Sequence, residues 1–157
     1  MKYESIDSKL FIKNRANFSK EMKKNSIAFF NSNDIYPVSA DSTLPFEQHR
    51  DIFYLSGIDQ EESILVLSPD NPNPDLREIL FLKETSDHIA VWEGPKINKS
   101  QALKISGIKT VFWLNDLEKI INKLVNRCEN IYFNKNEHYR AKIETETREA
   151  RFNSWLE

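Results

Sequence analysis

The stretch Leu-Pro-Phe-Glu-Gln-His-Arg-Asp-Ile-Phe-Tyr-Leu-Ser-Gly occupies residues 44–57. It opens with a proline and an aromatic residue, passes through a polar run, and closes with an aromatic, β-prone run that ends at Gly57. These residue types predict a loop fixed by Pro45 and Phe46, followed by a central strand over residues 52–55. The simplest interpretation of the stretch is therefore a structural one.

The polar run supplies side chains that can satisfy backbone groups inside a fold. We expect Gln48 and Asp51 to hydrogen-bond buried backbone groups just before the chain enters the strand. Residues 31–51 are rich in Asn, Asp, Ser and Pro, and Pro37 and Pro45 prevent one regular element from crossing the whole segment. The sequence therefore predicts a long ordered loop over residues 31–51.

Short apolar runs bounded by turn residues occur along the rest of the chain and are typical of buried strands. Together with the run at 52–55, they cover residues 26–30, 63–67, 78–82, 88–92, 109–113 and 129–133. The close spacing in the first half favours antiparallel neighbours, with 52–55 and 63–67 either joined as a hairpin or paired as near neighbours. Alternation with helices in the second half favours parallel pairing through right-handed crossovers. We predict an α/β domain with a mixed β-sheet of about six strands flanked by helices.

Three segments have the periodicity of helices. The first covers residues 9–24 and presents a narrow stripe formed by Phe11, Arg15, Phe18 and Met22. The second covers residues 98–105, where Asn98 is placed to cap the first turn. The third covers residues 115–127, where Glu118 is expected to complete a cap. Its apolar face is formed by Leu117, Ile120, Ile121, Leu124 and Val125.

The composition excludes several function classes. The 22 basic and 24 acidic residues give a formal net charge of -2, so no positive field favours nucleic acid or an anionic membrane. No apolar run approaches the length of a membrane span. The single cysteine cannot form an intrachain disulfide, and the first residues lack the order of a secretory signal. We expect a cytoplasmic protein that binds neither nucleic acid nor membrane.

Residues that could hold a metal or attack a substrate are sparse. His49, His88 and His138 are far apart and fit no metal-binding spacing, so each is interpreted as a hydrogen-bonded loop or surface histidine. Cys128 follows a predicted helix end, where the negative end of the dipole disfavours a thiolate. Three glycines cannot build a phosphate-binding loop of known pattern. We predict no catalytic residue, metal or cofactor within these 157 residues.

Residues 44–57 resemble the hallmark segment of the aminopeptidase P N-terminal domain family, also described as the creatinase-type N-terminal domain. The matching or conservatively replaced residues are Pro45, Phe46, Gln48, Asp51, Phe53, Tyr54, Leu55 and Gly57. Further along, Trp92, Gly94 and Lys96 resemble the family's tryptophan-x-glycine-x-basic motif. The similarity follows the family's order of segments over nearly the whole chain. The departures from the pattern are Leu44, Glu47, Arg50, Ile52 and Ile58.

The resemblance implies a single non-catalytic N-terminal domain over residues 1–157, with about 137–157 as the start of a linker helix to an absent catalytic domain. In enzymes of this family, a C-terminal domain of the pita-bread fold binds two divalent ions, usually manganese, through two aspartates, a histidine and two glutamates. Such an enzyme removes the N-terminal residue before proline. The implied partners are the chain's own catalytic domain and further copies in a homo-oligomer, and peptide substrate is met only through the parent enzyme.

Trp92 is the candidate for a functional contact, because in some members the tryptophan of this motif reaches a neighbouring subunit's active site. The alternative is that it anchors a core or an interface. The other motif residues are interpreted as mainly structural: Pro45, Phe46, Gln48, Asp51, Phe53, Tyr54, Gly57 and Gly94. Two further hypotheses stay open at this point. The chain could be the related N-terminal domain of a prolidase, or a stand-alone peptide- or protein-binding module of creatinase-like fold.

Overall fold

A computed structural model describes residues 4–39, 42–86, 88, 90–91, 94–134 and 148–157. The strands in these ranges are β1 (Ser26–Asn31), β2 (Pro37–Ser39), β3 (Ser42–Thr43), β4 (Ile64–Leu67), β5 (Glu78–Leu82), β6 (Thr110–Trp113) and β7 (Asn130–Phe133). The helices are α1 (Ser8–Glu21), α2 (Arg50–Ser56), α3 (Lys99–Ser106), α4 (Leu117–Val125) and α5 (Arg148–Leu156). Short 3-10 turns precede β5 and α4.

Five strands form one mixed sheet in the order β6-β5-β4-β1-β7. The central pairs β1–β4 and β4–β5 are antiparallel, whereas the outer pairs β5–β6 and β1–β7 are parallel. The predicted α/β class with a mixed sheet is therefore confirmed, although the main sheet has five strands in the described residues rather than about six. The antiparallel pairing in the first half and the parallel pairing in the second half follow from the lengths of the connections.

Both faces of the sheet are buried under helices. Alternate residues of the central strands point to opposite faces, so Ala28 and Phe30 lie in one apolar cluster while Ile27 and Phe29 lie in the other. Helices α2 and α3 cover the first face, together with side chains of α1. Helices α4 and α5 contribute Ile121, Leu124 and Phe152 to the second face. Three layers result, which explains why the strands read as continuous apolar runs rather than alternating ones.

The prediction of a central strand over residues 52–55 is wrong, since these residues belong to α2. Ile52, Leu55 and Ser56 are buried at helical spacing, the His49 side chain accepts a hydrogen bond at the helix start, and Gly57 ends the helix with φ +70°. Capping and packing against the sheet therefore override the β propensity of the aromatic run. The predicted pairing of 52–55 with 63–67, as a hairpin or as near neighbours, is wrong for the same reason.

The strand predicted over residues 88–92 is wrong where the structure describes the segment, because His88, Ala90 and Val91 are helical. Residues 89 and 92 lie outside the described residues. The Ala90 amide donates to the carbonyl of Ser86 at 2.9 Å, and the Val91 side chain is 77% exposed. Both long edges of β5 are occupied, by β4 and by β6, so no edge of β5 is left for the next segment to join. The backbone amide of Ala90 therefore forms a local, helical hydrogen bond instead.

Two smaller predictions also need correction. The predicted loop over residues 31–51 contains the antiparallel hairpin of β2 and β3, with Pro37 at the start of its first strand, where a missing amide is tolerated. Helix α4 begins after a 3-10 turn without a side-chain cap, so Glu118 completes no capping box there. The capping box predicted at Asn98 is present, and α3 ends at Gly107.

The buried guanidinium group of Arg15 ties α1 to three other elements. Its side chain is 0% exposed, and Nη1 donates to the carbonyls of Leu55 at 2.8 Å and Ser106 at 3.0 Å. These carbonyls lie at the C-terminal ends of α2 and α3, where helices carry unsatisfied acceptors and partial negative charge. Nη2 also lies 3.0 Å from the carboxylate of Glu78 at the start of β5. One side chain therefore fixes how three helices pack on the sheet.

Replacing Arg15 by methionine keeps most of the side-chain volume but removes these hydrogen bonds. Two helix ends and Glu78 lose their cationic partner, so we expect Arg15→Met to lower the free energy of unfolding by about 3 kcal/mol or more. Urea denaturation followed by circular dichroism measures the loss. Lys13→Met is the matched control, because Lys13 lies on the exposed side of the same helix, and it should change stability by less than about 0.5 kcal/mol. Equal losses in the two variants would contradict the role of Arg15.

Candidate functional site

The Gln48 side chain joins the 44–57 stretch to the turn at residues 58–63. Its Nε2 donates to the carbonyls of Ile58 at 3.0 Å and Gln60 at 2.9 Å, while its Oε1 accepts from the amide of His49 at 2.8 Å. All of these partners are backbone groups in partly buried surroundings. Gln48 therefore holds the turn 58–63 against the N-terminal end of α2.

Asp51 does not have the partner that the sequence suggested. Its exposed carboxylate accepts a hydrogen bond from the side-chain amide of Asn134, beyond the end of β7, rather than from a buried backbone group. It also lies in the first turn of α2, where a negative charge is favourable. Because α2 is a helix rather than a strand, the side chain points to the surface.

Of the aromatic residues in the stretch, Phe53 packs against another ring, whereas Tyr54 is exposed. The ring of Phe53 lies edge-on to Phe11, with centroids 6.3 Å apart and a 70° angle between planes. Tyr54 is 59% exposed, although its carbonyl accepts from Asn14 Nδ2 at 2.8 Å. Pro45 is exposed and Phe46 is half-buried. The stretch thus anchors α2 to α1 and leaves the ring of Tyr54 accessible.

The two motif glycines, Gly57 and Gly94, share a left-handed backbone but differ in surroundings. Their φ angles are +70° and +77°. A Cβ atom at Gly57 would lie 2.3 Å from Cε2 of Phe11, whereas a Cβ at Gly94 would meet no atom within 4 Å. At position 57, a glycine is therefore required both by the left-handed backbone and by the nearby ring of Phe11. At position 94, only the left-handed backbone favours a glycine.

Residues 94–97 are fixed to the turn 58–63 by two contacts that sequence reasoning missed. The backbone amide of Ile97 donates to Oε1 of Gln60 at 2.6 Å. The ammonium group of Lys96 pairs with the carboxylate of Glu61, and the two side chains are only 17% and 11% exposed. We call this pair of contacts the clamp. The run Gln60-Glu61-Glu62 looks like exposed surface in the sequence, and only the tertiary structure shows that Gln60 and Glu61 are buried.

A cleft of about 270 Å³ lies beside the clamp, at the edge of the sheet where β1 and β5 end. Four of its charged side chains form the ion pairs Lys83–Glu62, at 3.5 Å, and Arg151–Asp34, at 3.4 Å. Its other lining residues are Asn33, Ile35, Tyr36, Pro37 and Glu61. Ligands of open α/β sheets commonly bind outside the carboxyl ends of the strands, so this edge is the candidate functional surface of the domain.

The remaining candidates from the sequence are spread over the fold. Trp92 and His138 lie outside the described residues. His49 caps α2 by accepting from the amide of Asp51 at 3.3 Å, and His88 is exposed. Among the residues that the structure describes, no group of three or more His, Cys, Asp and Glu side chains is arranged to hold a metal ion.

Cys128 lies just beyond the C-terminal end of α4. Its Sγ donates to the carbonyl of Leu124 at 3.3 Å. Partial burial raises the pKa of the Cys128 thiol, and a hydrogen bond with Ser68 opposes this shift. The environment therefore favours the neutral thiol, which is a poor nucleophile.

Among the residues that the structure describes, no helix combines the length and the apolar character that a bilayer crossing needs.

Comparison with known proteins finds similar sequences for most of this chain. Residues 11–132 match the family model described as aminopeptidase P, N-terminal domain. Intermediate cleaving peptidase 55 of Saccharomyces cerevisiae is 29% identical over 126 residues, which are 78% of this chain and 24% of that protein. Xaa-Pro aminopeptidase 3 of Homo sapiens is 28% identical over 95 residues, which are 59% of this chain and 19% of that protein.

The solved structure of a putative aminopeptidase P from Bacillus anthracis superimposes on this fold with a TM-score of 0.83. The two chains are 25% identical, and the match covers 96% of this chain and 36% of that chain. The chain therefore spans about a fifth to a third of the length of the proteins it matches.

The two motif glycines offer a matched pair of variants. Gly94→Ala should cost about 1–2 kcal/mol of stability, because only the left-handed backbone is strained. Gly57→Ala should cost about 2–4 kcal/mol, since the new methyl group also clashes with the ring of Phe11. Chemical denaturation of both variants measures the difference. A Gly57→Ala protein as stable as the Gly94→Ala protein would show that Phe11 moves aside without cost.

Proposed function

Because the chain belongs to the aminopeptidase P N-terminal domain family, we propose that it serves as the non-catalytic domain of an Xaa-Pro aminopeptidase. The observation that carries the proposal is the family match over residues 11–132, which includes the 44–57 stretch and the clamp. In this proposal, the parent enzyme removes the N-terminal residue before proline. The chemistry takes place in a separate catalytic domain that holds two manganese ions.

Two metal ions suit this reaction because they lower the pKa of a bridging water and stabilise the oxyanion that develops on the peptide carbonyl. The proposed ligands, two aspartates, a histidine and two glutamates, belong to the catalytic domain. The lengths of the matched relatives support this division of labour, since this chain corresponds to 24% of the yeast protein and 19% of the human one. The activity in their names thus belongs to much longer polypeptides.

The proposed contribution of this domain is to wall one side of the active-site cleft and to support a homo-oligomer. The small β2–β3 hairpin and its flanks support an interaction role, because several large apolar side chains are exposed there: Ile35, Tyr36, Val38 and Leu44. Two of these, Ile35 and Tyr36, also line the cleft beside the clamp. The proposed compartment is the cytoplasm, which suits a chain with one cysteine.

The names of the matched relatives favour an Xaa-Pro aminopeptidase over a prolidase. Prolidases cleave dipeptides, so the two activities differ in whether a residue beyond proline is required. A stand-alone binding module of the same fold is the alternative from another functional class. It differs from the first proposal in having no catalytic domain in the same polypeptide.

The first prediction of this proposal concerns activity. The purified 157-residue chain, supplied with Mn²⁺, should release no amino acid from a tripeptide with proline in second position, whereas a polypeptide that joins it to its own catalytic domain should do so. Chromatography of the free amino acid measures both. Manganese-dependent release by the 157 residues alone would refute the proposal. Cleavage of the dipeptide only would identify a prolidase, and a coding sequence without the metal ligands would favour the binding module.

The second prediction concerns Trp92, which we propose contacts substrate or an active-site wall. In the enzyme with its catalytic domain, Trp92→Ala should lower kcat/KM for the Xaa-Pro tripeptide by about tenfold, the size expected for loss of one aromatic contact. Trp155→Ala is the control, because Trp155 is a 44% exposed tryptophan on α5. An unchanged kcat/KM in the Trp92→Ala enzyme would exclude the proposed contact.

A further inference from the structure

We propose that the cleft beside the clamp binds a free amino acid with an apolar side chain. This inference goes beyond the proposed function and does not depend on it, because it concerns a small ligand held by described residues alone. The cleft has a volume of about 270 Å³. Sites for drug-sized ligands run from roughly 300 to 1,000 Å³, so this cleft suits a smaller molecule.

Charged side chains of both signs face the cleft from four separate parts of the fold. Asp34 lies between β1 and β2, Glu62 lies in the turn 58–63, Lys83 directly follows β5, and Arg151 lies on α5. The further carboxylate, that of Glu61, is already held in the clamp. Among the described residues that line the cleft, the charges left to face a ligand therefore balance, with two of each sign.

The two ion pairs in the cleft are loosely closed. The nitrogen and oxygen atoms are 3.5 Å apart in Lys83–Glu62 and 3.4 Å apart in Arg151–Asp34, whereas hydrogen-bonded ion pairs close to about 2.7–2.9 Å. Their side chains are partly exposed, and ion pairs in contact with water contribute little to stability. Turning these charges toward a ligand therefore costs little.

The balance of charges selects a ligand that carries both signs. A carboxylate bound to the guanidinium group of Arg151 lies beside the like charge of Asp34, which disfavours a ligand that is only an anion. In the same way, an ammonium group bound to Glu62 lies beside the like charge of Lys83, which disfavours a ligand that is only a cation. A zwitterion offers each protein charge a partner of opposite sign. A free amino acid is a zwitterion at neutral pH.

The uncharged wall of the cleft selects an apolar side chain on that amino acid. Ile35 and Tyr36 line the cleft and are 40% and 42% exposed, and Pro37 lines it beside them. The ring of Tyr36 presents an apolar face. A ligand side chain that covers these residues removes apolar surface from water, so leucine should bind more tightly than glycine.

The first test is a titration of the 157-residue chain with L-leucine, followed by nuclear magnetic resonance. The amide signals of residues 33–36 and 61–62 should shift saturably with a Kd of about 1 mM, which is within the ligand efficiency of so small a molecule. Leucinamide lacks the carboxylate and N-acetyl-leucine lacks the ammonium group, so each should bind at least about tenfold more weakly. Glycine should also bind more weakly, because it lacks the apolar side chain.

A double variant then tests the ion pair of Lys83 and Glu62. Lys83→Met with Glu62→Gln removes one charge of each sign, so it leaves neither charge without its partner, and it should weaken L-leucine binding at least about tenfold. Lys9→Met with Glu21→Gln is the matched control, because it removes the same two charges from exposed positions on α1. It should leave the Kd for L-leucine unchanged. Circular dichroism verifies that both double variants are folded.

Arg151→Met with Asp34→Asn tests the other pair in the same way and should weaken binding to a similar extent. The proposal is overturned if L-leucine causes no saturable shift up to about twenty times the expected Kd. It is also overturned if the shifts map to another surface, or if leucinamide and N-acetyl-leucine bind as tightly as L-leucine. None of these results bears on the proposed function, which is tested by peptide cleavage in the enzyme with its catalytic domain.

Discussion

The desolvated guanidinium group of Arg15 is the constraint on which the rest of the structure depends. It is 0% exposed, and it satisfies carbonyls at the C-terminal ends of α2 and α3 while facing Glu78 at the start of β5. A buried cation is stable only with such partners, so the three helices must meet at this point. Once they do, the end of α2 at Gly57 is fixed, and with it the start of the turn 58–63.

The candidate site follows from that turn. Gln48 holds it on one side and the clamp to residues 94–97 holds it on the other, so two distant parts of the chain converge at the carboxyl edge of the sheet. The cleft next to it combines paired charges with exposed apolar side chains from the β2–β3 hairpin. Exposed apolar side chains of this kind suit the contact with another domain or subunit that we propose.

Membership of the aminopeptidase P N-terminal domain family agrees with this interpretation. The proposed role, to wall one side of a cleft in a separate catalytic domain, would use rigid anchors and a defined sheet edge, and the described residues include both. Helix α5 adds to this frame, because Phe152 packs on Phe29 with ring centroids 5.1 Å apart. The described part of the predicted linker segment is therefore docked on the sheet, while the role of that segment as a connection to a catalytic domain stays a prediction.

The sequence by itself determined the α/β class, the five strands of the main sheet, the helices α1, α3 and α4, and the family, because these depend on local periodicity, capping and motif order. Only the tertiary structure decided that residues 50–56 form a helix and that His88, Ala90 and Val91 are helical, since sheet edges and caps override β propensity. It also decided that Gln60 and Glu61 are buried and that they hold Ile97 and Lys96. The physical reason is that these contacts join residues about 35 positions apart. Their contribution to stability depends on burial, which no local sequence pattern encodes.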